Sequence, residues 1–181
     1  MNIVLIGLRG CGKSSVSRLL AKMSKRPLLS TDLLFSYENN GQSISDFVAA
    51  CHGDWRPFRD QEYAITCKAS ALDNLIIDCG GGIVVDCLQQ NQEIFSARKV
   101  SALRRNGLLF WLNGDLQRLA RKVQEDPSRP ALNSHLPLLT VMQQRLPFYQ
   151  QAAHHIIDIE GKTRKQIAHT ILQQVGVIAA R

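Results

Sequence analysis

Gly7-Leu8-Arg9-Gly10-Cys11-Gly12-Lys13-Ser14 follows the apolar run Ile3-Val4-Leu5-Ile6 and precedes a segment in which Val16, Leu19, Leu20 and Met23 recur at i, i+3, i+4 and i+7. The octapeptide meets G-x-x-x-x-G-K-[ST] at every fixed position. Its flanks supply the strand before and the helix after that such a loop requires. Glycines let backbone N–H groups converge on phosphate oxygens where a Cβ would intrude. The helix N-terminus adds partial positive charge. The stretch therefore predicts a nucleotide phosphate cradle built from Gly10, Cys11, Gly12, Lys13, Ser14 and Ser15. Lys13 is placed to reach the β- and γ-phosphates and Ser14 to offer its hydroxyl to Mg²⁺. Cys11 has two readings: a small residue tolerated in the loop, or a thiol whose pKa the helix N-terminus and Lys13 lower.

Outward from the loop, strand-like and helix-like segments alternate, which argues α/β with a mainly parallel sheet. The strands are expected at Ile3–Ile6, Pro27–Leu29, Asn74–Asp78, Leu108–Leu112 and His155–Ile159. Leu75-Ile76-Ile77 and Leu108-Leu109-Phe110-Trp111-Leu112 are continuous apolar runs, as strands covered on both faces require. Leu116, Leu119, Ala120 and Val123 make a second helical stripe, and Ile167, Ile171, Leu172 and Val175 a third. The segment from Glu125 to Ser134 is polar and carries Pro127 and Pro130. It reads either as a surface loop or as a lid over a site.

The 181 residues fit one domain spanning 1–181. No apolar run is long enough to cross a membrane, and the first residues lack the pattern of a signal peptide. Five cysteines without a C-x-x-C pair suggest neither a disulfide framework nor a zinc site, so a cytoplasmic location is expected. The net charge of +7 is scattered and not interleaved with aromatics. That favours a small anionic substrate over nucleic acid.

An enzyme that moves a phosphoryl group also needs a group to orient the acceptor hydroxyl and charge to hold the acceptor. Asp32, in Ser30-Thr31-Asp32, is either such a group or an acid favoured by a helix dipole. Arg59 and Arg145 are candidates for anion capture, although isolated arginines are most often solvated. Gly80-Gly81-Gly82 ends a strand at the edge where α/β folds bind ligands.

In chain order, Gly7–Ser14, Asp32, Phe58-Arg59…Glu62, Gly80-Gly81-Gly82, Arg129-Pro130 and Arg145…Pro147…Tyr149…Ala153 resemble the shikimate kinase family. The resemblance covers essentially the whole chain. It implies a three-layer P-loop fold with a five-stranded parallel sheet in order 2-3-1-4-5. It also implies a substrate-binding helical region over about 32–62 and a lid over about 124–136. The activity implied is phosphorylation of the shikimate 3-hydroxyl by ATP with Mg²⁺, in aromatic amino-acid biosynthesis. A monomer that binds neither nucleic acid nor a membrane is expected. The roles implied are Asp32 as base at the acceptor hydroxyl, Arg59 and Arg145 on the substrate carboxylate, and Gly80, Gly81 and Gly82 along the substrate, with the Gly81 N–H on a hydroxyl. Lys13 and Arg129 neutralise phosphoryl charge, Arg129 from the lid onto ATP.

Two departures from the family pattern stand out. Ser30 occupies the first position of the usual D-x-D, and Asp78 stands where a small residue is usual. Asp78, at a strand end, is where P-loop proteins place a carboxylate near the metal. The expectation is an exchange, with Asp78 near Mg²⁺ through water, against the alternative that Asp78 caps backbone groups. The stretch Gly53–Arg59 is also one residue longer than usual before F-R. A kinase for a gluconate-like acceptor and a nucleotide-binding module without chemistry are the rival functions.

Overall fold

The computed structural model describes residues 1–125 and 136–179, the side chains only as far as 176. Strand β1 (Asn2–Ile6) is buried along its whole length, with Ile3, Val4, Leu5 and Ile6 fully enclosed. Side chains of this kind stabilise by roughly 1.5–3 kcal/mol each when buried. β1 pairs in parallel with β3 (Ile76–Asp78) on one side and β6 (Gly107–Asn113) on the other. β2 (Leu28–Ser30) flanks β3, and β7 (His155–Asp158) flanks β6. The sheet order is β2-β3-β1-β6-β7.

Counted within the sheet alone, this is the expected order 2-3-1-4-5. Numbered along the whole chain it differs, because the sequence reading missed two short strands. β4 (Val85–Cys87) and β5 (Glu93–Phe95) form an antiparallel ribbon of their own between the third and fourth sheet strands. The third strand also starts later than expected. Asn74 takes φ 61°, which no strand residue adopts, and the Asn2 side chain accepts the Leu75 N–H at 2.9 Å.

The stripes read from the sequence become core faces. In α1 (Lys13–Ser24), Val16 and Leu20 are buried. In α6 (Leu116–Gln124), Leu119, Ala120 and Val123 are buried. In α8 (Arg164–Ala179), Ile167, Ile171 and Val175 join the same core. A second, smaller core lies to one side. It gathers Phe35 of α2 (Thr31–Glu38), Val48 of α3 (Ile44–Ala50), and Phe58 and Ile65 of α4 (Arg56–Ala71). Phe35 meets Phe47 and Phe58 edge to face, at centroid distances of 5.3 and 5.0 Å, the arrangement aromatic quadrupoles favour. This satellite core fixes α4 and the arginine that α4 carries. Two further helices, α5 (Ala97–Arg104) and α7 (Leu138–Ala152), complete the frame.

Candidate active site

The phosphate loop turns where glycine is needed. Gly10 and Gly12 take φ of 83° and 91°, and Gly12 caps α1 in the left-handed conformation. Lys13 is buried, and its Nζ donates to the Gly7 and Leu8 carbonyls at 2.8 and 3.1 Å. Cys11 is buried, with its Sγ 3.8 Å from the same amine. Residues Gly10 to Ser15 line a cleft of about 650 Å³ at the C-terminal edge of β1 and β3, a size suited to a nucleotide-scale ligand. Arg118, Lys122 and Lys162 add positive charge to its walls.

A second pocket, of about 20 Å³, adjoins the cleft and is lined by Trp55, Phe58, Arg59, Glu62, Gly80, Gly82 and Arg145. Arg9, Asp32, Ile44 and Gly81 line both. Asp32 therefore stands in the wall between the phosphate cradle and a pocket furnished with two guanidinium groups. The structure brings together Gly10, Cys11, Gly12, Lys13, Ser14, Ser15, Asp32, Arg59, Asp78, Gly80, Gly81, Gly82 and Arg145. Arg129 and most of the expected lid lie outside the described residues.

The three glycines carry different neighbours. A Cβ on Gly80 would lie 2.3 Å from an Asp32 oxygen, one on Gly81 2.8 Å from Arg9 Cγ, and one on Gly82 2.6 Å from an Arg59 nitrogen. Each approach is closer than any side chain tolerates, so the run is a bed for three side chains. The Gly80 N–H donates to Thr31 Oγ1 at 2.9 Å and fixes the bed against α2.

Asp32 is not the cap of α2. Ser30 is, its Oγ accepting the Leu33 N–H at 3.4 Å. Asp32 is exposed into the cleft, with the protein crowded around its carboxylate from the sides. The desolvation this crowding causes, helped by the negative charge of Glu62, pushes it up to about 6, against the pull of Lys13 and Arg9.

Arg59 is buried. It donates to Glu62 Oε2 at 2.8 Å and to the Gly82 carbonyl at 3.3 Å, and its Cζ lies 5.2 Å from the Trp55 and Phe58 ring centres. Its Nε has no partner. Arg145 and Tyr149, one turn apart on α7, both donate to the Gly81 carbonyl, at 3.1 and 2.7 Å. These arginines are core residues rather than the solvated surface that isolated arginines usually occupy.

Asp78 ends β3 and is paired directly with Ser30 across the β2–β3 ladder. Burial raises its pKa, and the Ser14 hydroxyl and the Lys13 charge pull it back. Its Oδ1 is buried without a partner. A carboxylate oxygen in want of a donor, beside the Ser14 hydroxyl, fits a hydrated divalent cation whose remaining positions go to phosphate and water. Among the described residues no group of three or more His, Cys, Asp or Glu side chains could hold a metal by itself.

Sequence reasoning missed Arg9, because the motif leaves that position free. It also missed Glu93 and Lys99, which lie on and beyond the unexpected ribbon.

A cleft lined by a phosphate loop, sharing one wall with a small pocket that holds two arginines at the edge of a 2-3-1 parallel sheet, defines a P-loop kinase, in which two substrates meet end to end. A family model for shikimate kinase matches residues 9–176, and the chain belongs to the shikimate kinase family. It is 39% identical to the shikimate kinase of Leptospira biflexa serovar Patoc, covering 98% of this chain and 97% of that one. It is 36% identical to that of Leptospira borgpetersenii serovar Hardjo-bovis, covering 96% and 97%. The shikimate kinase of Acinetobacter baumannii, solved in complex with shikimate, shares the fold with a TM-score of 0.81 at 23% identity, over 99% of this chain and 95% of that one.

Proposed function

We propose that this protein transfers the γ-phosphoryl group of ATP to the 3-hydroxyl of shikimate. The observation that carries the reading is the position of Asp32 and Gly81 in the wall common to the two compartments. ATP enters the larger cleft with its phosphates on the loop. Lys13 holds the β- and γ-phosphates, exchanging its loop carbonyls for phosphate oxygens. Shikimate enters from the other side, its carboxylate on Arg59 and Arg145, and the small pocket widens to admit it. Asp32 aligns the 3-hydroxyl and takes its proton. The Gly81 N–H orients a neighbouring hydroxyl, and Arg129 meets the phosphates from the segment between α6 and α7. Ser14, and Asp78 through water, would hold Mg²⁺, which would supply charge neutralisation. Most of the catalysis is positioning and fixed charge. Within this reading the enzyme is a cytoplasmic monomer acting on small molecules, without nucleic acid or a membrane. No helix among the described residues is long and apolar enough to cross one.

ADP formation should require shikimate and Mg²⁺ together. A coupled assay with each omitted in turn checks this. Equal turnover with gluconate, or none with shikimate, overturns the assignment.

The exchange of carboxylates is testable because Ser30 and Asp78 are register partners, so their side chains leave the sheet on the same face. Asp78→Ser should raise the Mg²⁺ concentration needed for half-maximal rate by about 10–100-fold. Ser30→Asp in that background should restore most of it, since Asp also caps a helix well. Damage that merely adds in the double variant would show that Asp78 serves the backbone instead.

A further inference from the structure

The Arg145 guanidinium is almost wholly consumed by the protein. Its Nε donates to Glu93 Oε2 at 2.8 Å, its Nη2 to Glu93 Oε1, and its Nη1 to the Gly81 carbonyl at 3.1 Å. Five donors in a planar fork leave one N–H on Nη1 and one on Nη2. With Nε and Nη2 turned to Glu93, the N–H left on Nη2 points along the outer edge of the fork, an edge that can receive a carboxylate. Arg145 lines the small pocket while its side chain is only 1% exposed. It has no freedom to choose which edge it presents.

Glu93 comes from the β4–β5 ribbon. A lone two-stranded ribbon is marginal, but this one is pinned at both ends. At its tip, Asn91 accepts the Trp55 N–H at 3.0 Å and donates to the Gly53 carbonyl at 2.9 Å. At its base, Asp86 accepts from Ser96 and Arg98 at 2.7 and 2.9 Å. Glu93 is thus a fixed carboxylate.

We infer that Glu93 is a positioning residue of the acceptor site: it holds the inner edge of Arg145 so that the outer edge faces the carboxylate of the acceptor. The inference rests on the reading of the acceptor as shikimate. It makes the site symmetrical in logic, for each arginine then has its own internal carboxylate, Glu62 for Arg59 and Glu93 for Arg145. Anion capture depends on leftover directed donors rather than on bare charge. That arrangement selects a planar carboxylate over other anions.

The test compares shikimate with its uncharged carboxamide in the wild type, Glu93→Gln and Glu93→Asp. Gln keeps the size but turns an amide N–H toward a guanidinium donor. Asp keeps the charge but falls one methylene short of both nitrogens. Binding is followed by tryptophan fluorescence, since Trp55 lines the pocket, and turnover by ADP formation. Each variant should raise the shikimate KM and Kd about tenfold, the scale of one weakened charge-assisted contact. The kcat, the ATP KM and the carboxamide Kd should stay within about twofold of wild type on the same scale. Unchanged shikimate affinity, an equal loss for both ligands, or tighter shikimate binding overturns the inference, the last by making Glu93 a competitor of the substrate. A wild type that phosphorylates gluconate but not shikimate overturns the functional reading, and the inference with it. A wild type active on shikimate with unaltered variants overturns the inference alone.

Discussion

Asp32→Asn should lower kcat by about 10²–10⁴-fold, the usual scale for removing a positioned general base, while leaving ATP binding close to wild type. Asn preserves the shape beside Gly80 and can still accept a hydrogen bond, but it cannot take the hydroxyl proton. The wild-type rate should also rise with pH through about 6 as Asp32 loses its proton, and kcat/KM should show that limb. The stability effect runs the other way. The folded-state pKa lies above the unfolded value of 3.8, so the native state holds this proton longer than the unfolded chain between roughly pH 4 and 6. The carboxyl therefore contributes stability below about pH 4 that is lost as pH rises through 6. The Asn variant should melt at or above the wild-type temperature at pH 7, with the gap closing toward pH 4. Near wild-type kcat in the folded variant would remove Asp32 from the chemistry.

Glu62→Gln should be the most damaging substitution for stability. One oxygen of Glu62 takes both Arg59, at 2.8 Å, and Lys99, at 2.6 Å, and all three side chains are buried. Their cationic neighbours keep the Glu62 carboxyl below its ordinary range in spite of burial. Removing its charge leaves Arg59 facing a neutral amide and Lys99 with only Asp86, at 3.5 Å, as a counter-charge. Breaking a buried ionic pair costs about 3–5 kcal/mol, which in a chain of this size lowers Tm by roughly 6–20 °C. Lys99→Met in the same background should return part of the loss, because a buried cation that has lost its nearest carboxylate goes with it. Thermal unfolding of the three proteins at pH 7 checks both statements. A Glu62→Gln protein that melts with the wild type would show that the network contributes nothing.

The sheet and the phosphate loop were legible because their signals are local. Ile3–Ile6 is apolar at every position, Gly10 and Gly12 sit where backbone must come close, and Val16 and Leu20 repeat with the helix. Arg59, Arg145 and the three glycines were legible only through their order along the chain. The reason for Gly80-Gly81-Gly82 was out of reach, since it lies in Asp32, Arg9 and Arg59 resting on those positions. The ribbon escaped notice because Val85–Cys87 and Glu93–Phe95 are too short to set up a period. Glu93 and Lys99 escaped with it. Their partners, Arg145 and Glu62, lie 52 and 37 residues away, and no spacing rule connects them. Ser30 looked like a lost acid, and in the structure it caps α2, so its position is occupied for a reason the strand alone does not disclose.

The central place of β1 bears on how the chain comes to be folded. β1 is made before either of its neighbours, yet both of its edges are closed only by β3 and by β6, whose first paired residues are Ile76 and Gly107. During synthesis, a bare apolar strand must wait for about a hundred residues to emerge before its hydrogen-bonding groups are matched, several seconds at ordinary ribosome speeds. Such parallel pairings across long chain separations are slow to form and exposed to misassociation meanwhile. Of the strands in the sheet, β1, which leads into the phosphate loop, thus stays longest with an unpaired edge as the chain emerges.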